Sequence, residues 1–428
     1  MKKVLALLVA LLLVVPLFSL GTAGAEEKIK LVAPLIGFND DQIAAADAKP
    51  EGYSPADQYY SSVRKTVEET YPNYEVEWAD WGWAETLDQK QRALIASGDA
   101  PDIVAGETFM PTYANEGILE PLPQDIVDMV NPSFLIFDRD GKAVAVAHKS
   151  AIFMLFYNKD LMTAAGLDPE QPPKTWAEFK TMSDAITKAG EGKFYGGGIP
   201  TFPHAGGALR ATPFFRQMGT DFSKDGLSNL NDPKLQETLK FIREMDANFP
   251  VGLGNNSDEG PLWTAFEKDK TIAFVINGIW EAGGATANGI NWGVTTLPLP
   301  EGGVDGNCMV GSVYNAVPKA SRHKEEAFNL IRAALKEENQ RLWIPQTVCL
   351  PLKSIIENTD LFADNPTLLA AMNALNNGTY SGLASFQKND AQVWEIVNTK
   401  VLARTTMTQD SIETICQEAD AEIAALLK

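Results

Sequence analysis

The sequence predicts an α/β protein of two domains, on three observations. Short apolar segments alternate with helical stretches along most of the chain, the rhythm of strand–helix–strand units. Behind a leader-like N-terminus stand roughly 400 residues, enough for two ordinary domains with a core each. No Pro/Gly/Ser-rich stretch divides the chain, so domains of that size would be joined by strands crossing between them.

The elements follow in order. Lys2 and Lys3 precede an apolar run from Val4 to Leu20, and Ala23-Gly24-Ala25 comes next. A basic start, an apolar middle and small residues at the end predict a secretory signal peptide over residues 1–25. A membrane anchor fits less well: the run is short, contains Pro16 and is followed at once by acidic residues. With no Cys at the cut, a lipid-attached form is not expected. Residues 28–34 read as a first strand, and the acidic stretch 39–57 as an insertion or long loop. Helical periodicity over 59–71, alternation over 74–78, a helix over 86–97 and an apolar strand at 103–105 predict a lobe with a largely parallel sheet.

Later helices announce themselves by their caps. Thr175-Trp176-Ala177-Glu178 is a capping box, in which the Thr hydroxyl meets a free backbone N–H and the Glu reaches back. Asp232-Pro233 places an N-cap before a proline suited to the first helical position. Ser321 is expected to cap a helix running to Leu335, and residues 364–376 and 409–427 supply two more.

Composition excludes some partners. The formal net charge is −20 and falls further without Lys2 and Lys3, which argues against nucleic acid or anionic lipid. The 45% hydrophobic content is that of a globular chain. Of Cys308, Cys349 and Cys416, an odd count, Cys416 shares one helical face with Ile412 and Ile423 and reads as a buried thiol; a Cys308–Cys349 bridge is left open. His148, His204 and His323 are isolated, and no Gly-x-Ser-x-Gly elbow, phosphate-cradling loop or metal-ligand spacing is found. No cofactor and no metal are expected. With 56 Asp and Glu, a carboxylate pair for glycoside cleavage is available by chance alone.

From residue 153 to 186 the sequence takes on a familiar form. Leu155-Phe156-Tyr157-Asn158-Lys159-Asp160-Leu161, Ala165-Gly166-Leu167 and Pro172-Pro173-Lys174-Thr175-Trp176 resemble the signature of the family 1 extracellular solute-binding proteins, the maltose-binding protein group. Four more segments match in order: Ser97-Gly98-Asp99-Ala100-Pro101-Asp102-Ile103, the stretch 266–280 ending in Gly278-Ile279-Trp280, the stretch 292–300 with Leu297-Pro298-Leu299-Pro300, and Cys349-Leu350-Pro351-Leu352. The resemblance spans nearly the whole chain after the leader. It implies a two-lobed periplasmic-binding-protein fold (type II-like), with three hinge crossings near 149–153, 296–300 and 348–352 and a ligand cleft between the lobes. The N-terminal lobe would hold 26–149 and 298–348, the C-terminal lobe 150–297 and 349–428. It further implies a monomeric, non-enzymatic protein outside the cytoplasm that hands a sugar to an inner-membrane ABC permease. The segment 39–57 and the residues Gly106, Glu107 and Thr108 depart from the family pattern.

Sugar rings ask for flat aromatic faces and planar polar groups. By matched position Trp280 is the first stacking candidate, and Trp394 the second, though its apolar surroundings suit a core residue equally. Trp81 and Trp83 flank Gly82 in a polar loop, where exposed indoles are unusual, and Phe214 matches an aromatic contact site. Glu107 follows a strand end and would accept hydroxyl hydrogen bonds; Gly311 and Ser312 would bring backbone close to the ligand. Asp102 is expected to hold backbone N–H groups, and Trp176, Trp292 and Trp343 to be core. Acidic residues such as Glu107 would also suit a cationic solute, a polyamine or peptide, in the same fold.

Overall fold

β1 (Ile29–Leu35) runs parallel to β2 (Tyr74–Asp80), and the chain between them carries the helices Asp40–Ala48 and Pro55–Thr70. The computed structural model describes residues 28–35, 40–48, 55–82, 84–107, 109–304, 309–310, 312–346, 348–377 and 382–428. The leader and its cleavage site therefore lie outside the described residues. Part of the segment expected to be a loop is thus helical, and Asp40 Oδ2 accepts from the Trp78 N–H at 3.2 Å, tying that helix to β2.

The first lobe's main sheet takes β3 (Val104–Gly106), β4 (Leu135–Phe137) and β5 (Ala143–Ala147). The chain then crosses into β6 (Ala151–Asn158), buried at every position, which is why it reads as an unbroken apolar run. A small hairpin of β7 (Ser223–Lys224) and β8 (Leu227–Ser228) follows, and then β9 (Phe274–Gly278) and β10 (Trp292–Thr295) pair with β6 from either side. β11 (Met309–Val310) lies against the start of β6, and β12 (Tyr314–Ala316) inserts between β3 and β5. Both four-stranded sheets pair antiparallel, with β1–β2 the parallel pair, so the expectation of largely parallel sheets is corrected. Connectivity explains it. β4 and β5 are joined by a short turn, while β6 and β12 each enter a lobe from the other one and run against their neighbours.

Three parts of the chain meet at the start of β6. Ser150 and Cys349 exchange both backbone hydrogen bonds, at 2.8 and 2.6 Å, while Ala151 and Ile152 face Val310 and Met309. The hydroxyls of Ser150 and Ser312 are hydrogen-bonded across the same point. Two expected boundaries move. Leu299 still accepts from the Trp176 N–H and donates to Lys174 in the second lobe, so the middle crossing comes at β11 rather than at 296–300. Pro351 accepts from the Asn131 N–H and Lys353 Nζ donates to the Asp128 carbonyl, so residues 351–353 rest on the first lobe. The matched motifs mark strands, but packing decides where a strand leaves its lobe.

Local signals translate well. The Thr175–Glu178 capping box forms, and Asp232 caps the helix Pro233–Asp246. Asp102 Oδ2 accepts from the Val32 N–H, and Oδ1 accepts from the Ser321 hydroxyl. Ser321 thereby holds β1's neighbour to the helix Lys324–Ala334, whose N-cap position is His323 instead; the Ser321 oxygen accepts the His323 N–H at 3.0 Å. Cys349 and Cys416 are buried free thiols, and Cys308 lies outside the described residues.

Candidate functional site: a cleft between the lobes

A cleft of about 760 Å³ opens between the lobes, within the roughly 300–1,000 Å³ typical of small-molecule sites. Arg92, Glu107, Phe109, Phe137 and Tyr314 line it from the first lobe, and His204, Leu209, Trp394, Glu395 and Asn398 from the second. Ser312 lies at its base by the crossings. The lips touch where Arg139 Nη2 donates to the Gln387 carbonyl at 3.1 Å.

The first-lobe wall is built at the end of β3. A Cβ on Gly106 would come within 2.3 Å of the Phe109 ring, so only glycine lets that ring fold back over the strand end. Glu107 follows, half-buried; burial pushes its carboxyl up from 4.5 to about 7, with the Lys149 charge opposing. Lys149 itself, on the first crossing, is pushed down from 10.5 to about 8 by burial against the pull of Glu107, and its ammonium sits 4.2 Å from the Trp343 ring centroid. Arg92 is occupied: Nε donates to Asp88 and Nη1 to Glu116, both at 2.8 Å, and its guanidinium lies over Tyr113.

The second-lobe wall starts at the helix Ala205–Gln217. His204 caps it, Nδ1 accepting from the Gly206 N–H at 3.1 Å, and stacks on Phe202 with centroids 5.6 Å apart. Trp394 is wedged between Phe222 and Phe386, and its indole N–H donates to the Ala384 carbonyl at 3.0 Å, leaving 8% exposed to the cleft. Burial also raises the Asp390 carboxyl, offset by the Phe386 N–H it accepts at 2.6 Å. At the end of β9, Trp280 is 41% exposed, edge-on to Phe153, with its ring lying over Gly278 where a Cβ would come within 2.1 Å.

The eight sequence candidates divide. Glu107, Ser312 and Trp394 line the cleft together, and Trp280 is exposed at a strand end of the second lobe. Phe214 is corrected: its ring is fully buried beneath Trp176, on the inner face of its helix, and meets no solvent. Trp81 packs beside Leu87, Ala105 and Val313 with the Lys90 ammonium 4.4 Å over its ring, and it is not among the described cleft-lining residues. Trp83 and Gly311 lie outside the described residues. Trp343 is fully buried, as expected of a core ring, whereas Trp292 against Phe156 and Trp176, stacked on Phe241 at 4.3 Å, are half-buried at the edge of the core. Sequence reasoning missed Arg92, Phe109, Phe137 and His204. Only Phe137 carried a signal of its own, an apolar residue just before the turn Asp138-Arg139-Asp140-Gly141.

Residues 52–341 match the family model of the bacterial extracellular solute-binding proteins, and the chain belongs to that family. It is 25% identical over 334 residues to a binding protein of Brucella abortus strain 2308, covering 73% of this chain and 77% of that one. It is 25% identical over 307 residues to the arabinooligosaccharide-binding protein of Bacillus subtilis strain 168, covering 67% and 69%. Among solved structures, the cyclic α-maltosyl-1,6-maltose binding protein of Arthrobacter globiformis aligns with a TM-score of 0.74 at 20% identity, over 94% of this chain and 99% of that one. Maltose-bound MalE3 of T. maritima aligns at 0.72 with 18% identity, over 93% and 100%. The two-lobed fold is shared. Among the described residues, no helix is long and apolar enough to cross a membrane, and no group of three or more His, Cys, Asp or Glu is placed to hold a metal ion.

Proposed function

We propose that this protein is exported, captures a carbohydrate in the cleft and delivers it to an ABC transporter permease in the inner membrane. The carrying observation is the interlobe cleft itself, where aromatic faces and planar polar groups converge from both lobes of a solute-binding protein. Phe137 and the exposed edge of Trp394 would meet sugar rings within the cleft, Trp280 would offer its flat face at the end of β9, and Glu107, Glu395 and Asn398 would take the hydroxyl rim. The ligands named for similar proteins, arabinooligosaccharide in one name and bound maltose in one structure, point to the same ligand class. A ligand touching both walls favours the closed state, which is the form offered to the permease.

In this reading residues 1–25 are a leader cleaved near Ala25, and the absence of a Cys at that cut makes the mature form free of lipid. The mature chain works as a monomer, binds rather than transforms its solute, and avoids nucleic acid because of its acidic balance. A thermal-shift screen of the mature chain against arabino-, malto- and manno-oligosaccharides, with polyamines and peptides alongside, tests the proposal. A ligand at a hundred times its dissociation constant adds about 2.7 kcal/mol, which a melting curve resolves. A shift with one sugar family is expected. Shifts with polyamines or peptides alone overturn the substrate, and shortened sugars after incubation would mean catalysis.

A further inference from the structure

Arg210 is 4% exposed, and each of its three guanidinium nitrogens has an acceptor. Nε donates to the Ile276 carbonyl at 3.2 Å, Nη1 to the Gly206 carbonyl at 2.9 Å and Nη2 to Asn277 Oδ1 at 2.8 Å. Glu259 Oε2 pairs with Nη1 at 2.9 Å. The rings of Trp263, Phe153 and Phe202 surround the same group at 4.7, 5.2 and 5.7 Å. A buried cation is costly unless its donors are all met, and packing alone would be served as well by an aliphatic side chain. These bonds join three separate segments: the turn that lines the cleft at His204 and Ala205, the end of β9, and the loop before the helix Gly260–Glu267.

One ring carries the position of Arg210 to the cleft, and another carries it to the exposed Trp280, which lies outside the residues that line the cleft. Phe202 stacks under His204, and Phe153 meets the edge of Trp280. The Asn277 amide extends the link, because its Oδ1 also accepts the Gly278 N–H and its Nδ2 donates to Glu281 Oε2 at 2.6 Å, in the first turn of the helix that Trp280 precedes. Gly206 makes room for the assembly: a Cβ there would come within 2.9 Å of Glu259 Oε2 and 2.8 Å of the His204 ring.

We infer that Arg210 is a positioning residue for ligand recognition, binding the His204 turn and the Trp280 turn into one rigid second-lobe wall. This rests on the reading of the cleft given above. Lysine keeps the charge but loses the planar fork that reaches three acceptors at once, so Arg210→Lys separates geometry from charge.

Two measurements test it. Without ligand, acrylamide quenching of tryptophan fluorescence is compared between each protein and its Trp280→Phe counterpart, which isolates the Trp280 signal. Trp280 is expected to become more quenchable in Arg210→Lys, and in Glu259→Gln to a smaller degree; unchanged quenching overturns the inference. With ligand, the probe is whichever of maltotriose, mannotriose and arabinotriose shifts the melting most, titrated calorimetrically at a temperature where every variant is folded. Arg210→Lys is expected to weaken binding tenfold or more, and to cost less in a Trp280→Ala background than in the unaltered one. Wild-type affinity, or an equal cost in both backgrounds, overturns it. If no sugar moves the melting of the unaltered protein, the substrate reading fails, and the quenching result still decides the role of Arg210.

Discussion

The two walls of the cleft are built from the same kind of material, strand ends and helix starts, but they are held differently. On the second lobe the buried group behind the wall, Arg210, has its donors met by fixed acceptors. On the first lobe the groups are the half-buried Glu107 and Lys149, each pushed toward neutrality by burial and opposed by the other's charge, with the Lys149 ammonium also over the Trp343 ring. A network tied at every guanidinium nitrogen resists movement, although burial raises the Glu281 carboxyl at its edge to about 8, whereas a pair of half-tuned charges with few ties responds both to pH and to whatever enters the cleft. The comparison teaches that one wall is a fixed template and the other an adjustable one, an arrangement suited to a site that must close on a ligand and later release it.

The largest expected effect tests whether the fixed wall owes its form to its core. Phe214→Ala should cost about 3–5 kcal/mol in urea unfolding, because the ring is fully buried, with ligand affinity of the folded protein kept. Lost affinity at unchanged stability would return Phe214 to the cleft. Trp280→Ala should do the reverse. Its exposed ring gives up little stability, within about 0.5 kcal/mol, while calorimetry should show about tenfold weaker sugar binding from the lost stacking face.

The adjustable wall is tested by pH. The Glu107 carboxyl ionises near 4.5 when unfolded and near 7 when folded. Its contribution to stability is therefore fully present below 4.5 and is lost as the pH rises through about 7. Denaturant unfolding from pH 4.5 to 7.5 should show this slope, to which the burial-raised Asp246 and Glu281 also contribute, and Glu107→Gln should reduce it; an unchanged slope would place the titration elsewhere. Lys149 acts oppositely at higher pH. The unfolded state holds its proton up to 10.5 and the folded state only to about 8, so stability should rise between those values. The smallest effect belongs to the lip. Arg139→Ala removes one exposed hydrogen bond between the lobes and should weaken binding by about 0.5–1 kcal/mol, read as a faster ligand off-rate; an unchanged off-rate would mean the contact does not bias closure.

Much of the fold was legible in the sequence, for reasons that differ along the chain. The Thr175–Glu178 box, the Asp232-Pro233 start and the Cys416 helix face are decided by residues within one or two helical turns, so spacing alone reveals them. Asp102 was legible because a carboxylate before a buried strand has few uses other than meeting backbone N–H groups. Trp394 and Glu107 were found as cleft residues through matched position and a strand end. Phe214 was misread because a helix shows its aromatic residues but not which face the rest of the protein covers.

What the sequence determined by itself was local: which segments are strands or helices, where helices begin, and the family to which five ordered motifs point. Tertiary structure alone decided that β6 and β12 run against their neighbours, that the middle crossing falls at β11, and that Arg210 sits at the meeting of three segments. The physical reason is range. Caps and periodicity act between neighbours in the chain, while a cleft and the ties behind it form where distant segments exclude water from one another, and no short stretch of sequence contains both partners.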